Sequence, residues 1–208
     1  MPDRMQGKSG APTTSTVQGE DWEGRELSGD SFASVAFTDV DLTEVVNQGA
    51  TFEGCTFRRV RFNCSSHLDA AFVNCTFVNC DFFEARFTGC KLVGSAFDRC
   101  TFDLLRVDGG NWSHVALPGA DLRRAVFSGT RLREADLTSA NLEGSTMRDA
   151  DLSGAWLHGA ILTRCDLRGS DISALDPRHA DLQGTIITIE QALVVAAGLG
   201  LDLRADQG

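Results

Sequence analysis

A repeat-built solenoid ending in a short helix is the architecture this sequence predicts. Three observations carry that prediction. One five-residue register of apolar residues runs almost the whole length of the chain. A second, small-residue position keeps step with it. The register stops at a helix-start signal near the C-terminus.

The register is read by counting every fifth residue from Trp22 through Leu27, Phe32 and Phe37 to Leu182 and Ile187. Of these 34 positions only Asn47, His67 and Pro177 are not apolar. A period of five matches neither the 3.6 of a helix nor the 2 of a strand, so the chain is a repeat array rather than a conventional domain. Phe dominates the centres up to Phe102 and Leu from Leu117 onward, which gives two halves of one domain. Two residues before most centres the chain places a small residue, chiefly Ala, Cys, Ser or Thr, as at Ala50, Cys55, Cys75, Cys80, Ala125, Ala135 and Ala155. Alternating large and small residues fills a narrow interior without voids. The remaining positions are mostly polar or Gly and belong outside.

The A(D/N)LxX pattern, clear in Asp-Leu-Ser-Gly-Ala at 151–155, resembles the pentapeptide-repeat family. That resemblance implies an all-β fold, a right-handed quadrilateral β-helix with one pentapeptide per side and four per coil. Thirty-four repeats would then give roughly 8.5 coils and a rod roughly 40 Å long at the spacing of adjacent strands. The segment from Gly89 to Ala155 and the ending Asp-Pro-Arg-His…Ile-Ile-Thr-Ile-Glu-Gln-Ala-Leu-Val-Val are similar to the MfpA-type branch of that family, and more distantly to the Qnr proteins. This closer resemblance covers about residues 20–203 and implies a homodimeric rod, joined through its C-terminal ends, that binds DNA gyrase as a mimic of duplex DNA. It further implies altered fluoroquinolone susceptibility. The unbroken register leaves no room for the loop insertions of the Qnr proteins.

Residues 1–19 are rich in Gly, Ser, Thr and Pro and are expected to form a disordered tail, followed by the solenoid over 20–187. Thr188-Ile189-Glu190-Gln191 has the form of a capping box, so 188–203 is expected to be a helical cap, with 204–208 a second tail. Its apolar residues are too many for one face. One face can plug the open coil. The surplus (Ile189, Leu193, Val194, Val195, Leu199 and Leu201) is assigned to a dimer interface with a second copy of the chain. No signal-peptide core or membrane-spanning stretch is seen, and the seven Cys fit a reduced, cytoplasmic protein. Five of them (Cys55, Cys75, Cys80, Cys90, Cys100) sit at the small interior position and act as apolar filler.

The formal net charge of −10 is unevenly spread. On the wall containing residues 20–24, 40–44 and so on to 180–184, eleven acids face four arginines. The acids proposed for partner contact are Asp21, Asp41, Glu44, Asp81, Glu84, Asp103, Asp121, Glu143 and Asp181. Acids before the centre are also the family's own consensus and keep a rod soluble. The functional reading is that a straight anionic rod presents charge as a duplex does. The same sign argues against direct nucleic-acid binding, because phosphate contacts need Lys and Arg.

Asn47 and His67 should stack within one wall and share a hydrogen bond. Pro177 should mark the last coil loosening before the cap. His114, His158 and His179 fall on outward positions assigned to different walls, and Trp156 on an exposed position. A filled interior offers no cleft, so the expectation is a non-enzymatic protein without catalytic residues, cofactor, metal or small-molecule substrate. An adaptor with another protein partner is the alternative reading.

Overall fold

The computed structural model describes residues 12–204. Every inter-strand pair in it is parallel and joins residues 20 apart. With a five-residue repeat, that separation makes four walls per coil. One wall is a seven-stranded sheet built from Glu26–Ser28, Val46–Gln48, Ser66–Leu68, Arg86–Thr88, Arg106–Asp108, Val126–Ser128 and Thr146–Arg148. A second wall holds five strands from Ser15–Gln18 to Ala96–Asp98, and a third holds three, Ser31–Ala33, Thr51–Glu53 and Ala71–Val73. The fourth is built of single bridges, Asp21 to Asp41 to Arg61 to Asp81 to Thr101. Beyond the named strands the ladders continue as such bridges to Asp181 and Ile186.

The strands are three or four residues long because each wall is one pentapeptide. The centre side chain points in and its neighbours point out. The residue two places after the centre turns the corner in the left-handed region, as at Glu44 (φ 58°), Asn74 (φ 52°) and Gly154 (φ 68°). Repeated corners of this kind account for the abundance of Gly, Asn and Asp there. In the tighter corners the Asp or Asn before the centre accepts a hydrogen bond from the backbone N–H two residues on. Asp41 accepts from Thr43, Asp81 from Phe83 and Asp151 from Ser153. These carboxylates are therefore turn-forming groups as well as charges.

The interior is a set of aromatic ladders followed by aliphatic ones. Phe37, Phe57, Phe77 and Phe97 stack with ring centres 4.6 to 4.9 Å apart. Phe32, Phe52 and Phe72 do so on the next wall, at 4.9 and 4.7 Å. The small position does more than fill space. Cys75 Sγ donates to the Phe52 carbonyl at 3.3 Å, Ser95 Oγ to Phe72 at 2.7 Å and Ser170 Oγ to Met147 at 2.6 Å, in each case to a centre 23 residues earlier. Cys165, also buried at this position, joins the five cysteines expected there, while Cys64 is exposed at a corner.

Asn47 and His67 stack as anticipated. Asn47 Nδ2 donates to His67 Nδ1 at 3.1 Å, and His67 Nε2 faces Ser65 Oγ at 3.0 Å. The Ser65 hydroxyl is already donating to the Phe62 carbonyl, so it accepts from Nε2–H. Asn47 Oδ1 accepts from the Ala50 N–H, and the His67 ring lies 4.6 Å above that of Phe87. Every polar atom is thus matched with the imidazole neutral, and burial pulls its pKa down to about 3. An unfolded histidine titrates near 6.5, so as pH falls the unfolded chain takes up this proton first. The stabilisation is intact above about 6.5 and is lost at roughly 1.4 kcal/mol per pH unit between 6.5 and 3. The double variant Asn47→Leu/His67→Phe is expected to flatten that acid dependence. Urea midpoints at pH 7, 5.5 and 4.5 read it; equal slopes in parent and variant would rule out His67 as the source.

Three expectations need correction. Of the segment 1–19, residues 1–11 lie outside the described residues. Ser15–Gln18, however, is a strand pairing with Val35–Thr38, so the solenoid begins earlier than residue 20. Val17 occupies the centre position one step before Trp22, and four residues of parallel pairing offset the ordering of a polar sequence. His158 and His179 are not on separate walls, since their rings are 5.0 Å apart. Counting by 20 already puts 155–159 and 175–179 on one wall, and a one-residue shift around Pro177 sets His179 over His158: Gly159 N–H bonds to the His179 carbonyl rather than to that of Arg178, before the ladder resumes at Ile161 and Asp181. The third concerns Val195, treated with the helix.

The helix spans Ile189–Gly198 with a complete capping box between Thr188 and Gln191. Gln191 is buried, and its Nε2 donates to the carbonyls of Leu167 and Ser170, both at 2.7 Å. It closes the last coil by satisfying acceptors that would otherwise open to solvent. Val195 is half-buried, packing against the core beside it, and so offers less free surface than the other residues assigned to the interface. Ile189, Leu193, Val194, Leu199 and Leu201 are exposed, at 39 to 81 per cent, as are Ile186 before the helix and Leu203 after it. Residues 205–208, the rest of the expected second tail, lie outside the described residues. No helix among the described residues is long and apolar enough to cross a membrane.

Candidate partner-binding surface

The acidic wall is a real column in three dimensions. Asp21, Asp41, Arg61, Asp81 and Thr101 follow one another bridge by bridge, and Asp121, Asn141, Ile161 and Asp181 continue it. Glu44 and Glu84 lie on the same side at corners, and Asp103 one residue before the corner at Leu104. All four arginines of this wall are spent on acids of the same wall. Arg61 pairs with Asp41, Arg123 with Asp121 at 2.6 Å, Arg124 with Asp103 at 3.4 Å, and Arg164 with Glu143. Arg123 holds the Asp121 carboxyl below the usual carboxylate range by hydrogen bonding. Burial would raise Asp41, but hydrogen bonds from Arg61 and Thr43 outweigh it and leave it lowered.

This pairing redistributes the charge that the sequence suggested. From Asp103 to Arg164 the wall is locally balanced. Outside that stretch, Glu20, Asp21, Glu23, Glu44, Asp81 and Glu84 have no arginine partner among the described residues, and at the far end Asp181 stands likewise. The uncompensated negative surface is therefore concentrated in the N-terminal half. At its edge Asp21, Glu23 and Asp41 bring carboxylate oxygens within 4.8 Å of one another. Glu20 is tied by the Trp22 indole N–H at 2.6 Å, and Asp81 by Asn63 and Thr101 at 3.1 and 2.6 Å. The latter carboxylate is held in place rather than free to swing. Sequence reading placed these acids on one side but missed their pairing, which depends on side chains reaching across successive coils.

Concavity lies elsewhere. An open depression of about 470 Å³ on the opposite wall is lined by Gly89, Lys91, Gly110, Asn111, Arg131, Asp149 and Asp151. It is shallow because the interior behind it is filled by Leu92, Trp112 and Leu132, each no more than 1 per cent exposed. The Trp156 indole is 60 per cent exposed, as its position implies.

A four-walled parallel β-solenoid whose filled interior is built coil on coil defines the class of repeat proteins in which each unit packs only on its neighbours. Residues 69–103, 113–144 and 150–188 match the family model for pentapeptide repeats, in eight copies, and the chain belongs to the pentapeptide-repeat family. No match was found among curated protein sequences. Among solved structures, a trypsin-treated form of QnrB1, a plasmid-mediated fluoroquinolone resistance protein, superposes with a TM-score of 0.63 at 21% identity, covering 91% of this chain and 99% of that one. HetL, a pentapeptide repeat protein involved in heterocyst differentiation regulation in the cyanobacterium Nostoc, gives a TM-score of 0.53 at 16% identity over 85% and 87% of the two chains. At these identities the likeness is one of fold.

Proposed function

We propose that this chain is a non-enzymatic, cytoplasmic modulator of DNA gyrase that occupies the enzyme's duplex-binding channel as a DNA mimic and lowers fluoroquinolone susceptibility. The observation that carries the reading is the straight row of uncompensated acids on one wall, Asp21, Glu44, Asp81 and Glu84 foremost. A cationic channel shaped for a duplex attracts such a row and repels few of its neighbours. The described role of QnrB1, a protein of the same fold, points the same way. The exposed apolar residues of the C-terminal helix and the segment after it fit a homodimer joined end to end, which doubles the rod. No cofactor, nucleic acid, membrane or small-molecule substrate is called for.

A second reading, a regulatory adaptor with a different protein partner, is favoured by HetL, whose described role lies outside antibiotic resistance. Supercoiling by purified gyrase, with and without a fluoroquinolone, separates the two. The first reading expects inhibition or drug protection at micromolar protein. It also expects the variant Asp21→Asn/Glu44→Gln/Asp81→Asn/Glu84→Gln to lose about tenfold or more in potency, because these changes remove four charges and keep the hydrogen-bonding shape. Asn retains the turn acceptor, so thermal stability should hold. Gyrase indifferent to the parent protein, or inhibited equally by the variant, decides for the adaptor.

A further inference from the structure

The one-residue shift at Pro177 has placed two imidazoles together on the outer surface of successive coils, beside the C-terminal helix. We propose that His158 and His179 form a binding site for a divalent transition-metal ion such as Zn²⁺ or Ni²⁺, with Asp176 as the group that orients His179.

The ring centres of the two histidines are 5.0 Å apart and their planes are inclined by 38°. With metal–nitrogen bonds of about 2.0–2.1 Å, two imidazoles on one tetrahedral ion place their ring centres about 5 Å apart. The side chains therefore already stand at the separation of a two-histidine chelate. Asp176 Oδ2 lies 2.7 Å from His179 Nδ1, so the carboxylate accepts the Nδ1–H and leaves Nε2 as a lone pair. Carboxylate, histidine and metal in that order is the usual arrangement by which a protein fixes the tautomer of a ligand. The carboxylate is itself held, since Asp176 Oδ1 accepts from the Arg178 N–H at 3.0 Å. His179 is about half exposed, and neither His179 Nε2 nor the His158 ring has a hydrogen-bond partner among the described residues.

The position gives the site a consequence. His158 belongs to one coil and His179 to the next, and Pro177 between Asp176 and His179 abuts Gly198 of the helix, where an added Cβ would meet its ring at 2.8 Å. An ion held by both histidines ties the coil that carries the register shift to its neighbour beside the cap. Water or a group from a partner would complete the coordination.

Zn²⁺ and Ni²⁺ titrations of the full chain by calorimetry at pH 7.5, in a Cys64→Ser background that removes the exposed thiol, test this. One ion per chain and a raised melting temperature are expected. His158→Gln and His179→Gln should each weaken binding by at least about tenfold. Asp176→Asn should weaken it by about tenfold with the fold intact, because Asn still accepts from Arg178 but donates to Nδ1 and so puts the proton on Nε2. Retention on nickel-chelating resin gives an independent readout. Absence of binding, or binding indifferent to both histidine substitutions, overturns the proposal.

Discussion

Phe57→Ala is expected to destabilise the chain by about 3–5 kcal/mol, the cost of a large aromatic removed from a core that cannot collapse around the gap. Phe57 has no solvent exposure. It is stacked between Phe37 and Phe77 at 4.9 and 4.8 Å and meets Phe52 and Phe62 edge-on at 5.6 and 5.5 Å. The rungs above and below are held by main-chain ladders at fixed spacing, so neighbouring coils cannot move in to fill the void. Phe57→Leu should cost far less, since Leu serves as the centre in the C-terminal half. Urea or thermal unfolding followed by circular dichroism distinguishes the two variants. A loss below about 1 kcal/mol for alanine would mean that the ladder relaxes freely.

Leu193→Glu combined with Leu199→Glu is expected to turn the proposed dimer into a monomer at micromolar concentration. The two side chains are 53 and 47 per cent exposed, and Ile189, Leu201 and Leu203 of the same C-terminal segment are exposed as well. Burying that area against a second copy is favourable at about 25 cal/mol per Å². Two charges placed inside it would have to be desolvated without partners, which costs several kcal/mol. Neither residue is among those packed on the solenoid, where Gln191 and Val195 do the capping, so the monomer should keep its fold. Sedimentation or light scattering reads the mass. A parent protein already monomeric would remove the dimer from the proposal, and a variant still dimeric would place the interface elsewhere.

The fold was legible because the period of five is carried by large apolar centres, and these are what the interior selects. The partnership of Asn47 with His67 was legible for the same reason: both break the rule, 20 residues apart, in a coil of 20. The start of the solenoid was missed because Val17 lies among Ser, Thr and Gln, where no composition signal separates a strand from a tail. That His158 and His179 share a wall was open to counting, since they lie 21 residues apart, but their direct superposition was not, because it depends on a backbone shift at Pro177 that leaves the overall count unchanged. Of the surface, the side on which the acids lie followed from counting. Which acids are compensated did not: Arg124 reaches Asp103 and Arg164 reaches Glu143, each 21 residues back, by side-chain conformations that no repeat position encodes.

The corner in which Asp41, Asp81 or Asp151 accepts a main-chain N–H asks only for an acceptor oxygen, as Asn141 demonstrates by accepting from Glu143 in the same way. Aspartate and asparagine are interchangeable to the backbone and differ by one unit of charge to the outside world. The rod therefore works as a ruled page, on which an electrostatic pattern can be rewritten letter by letter while the lines beneath stay where they are.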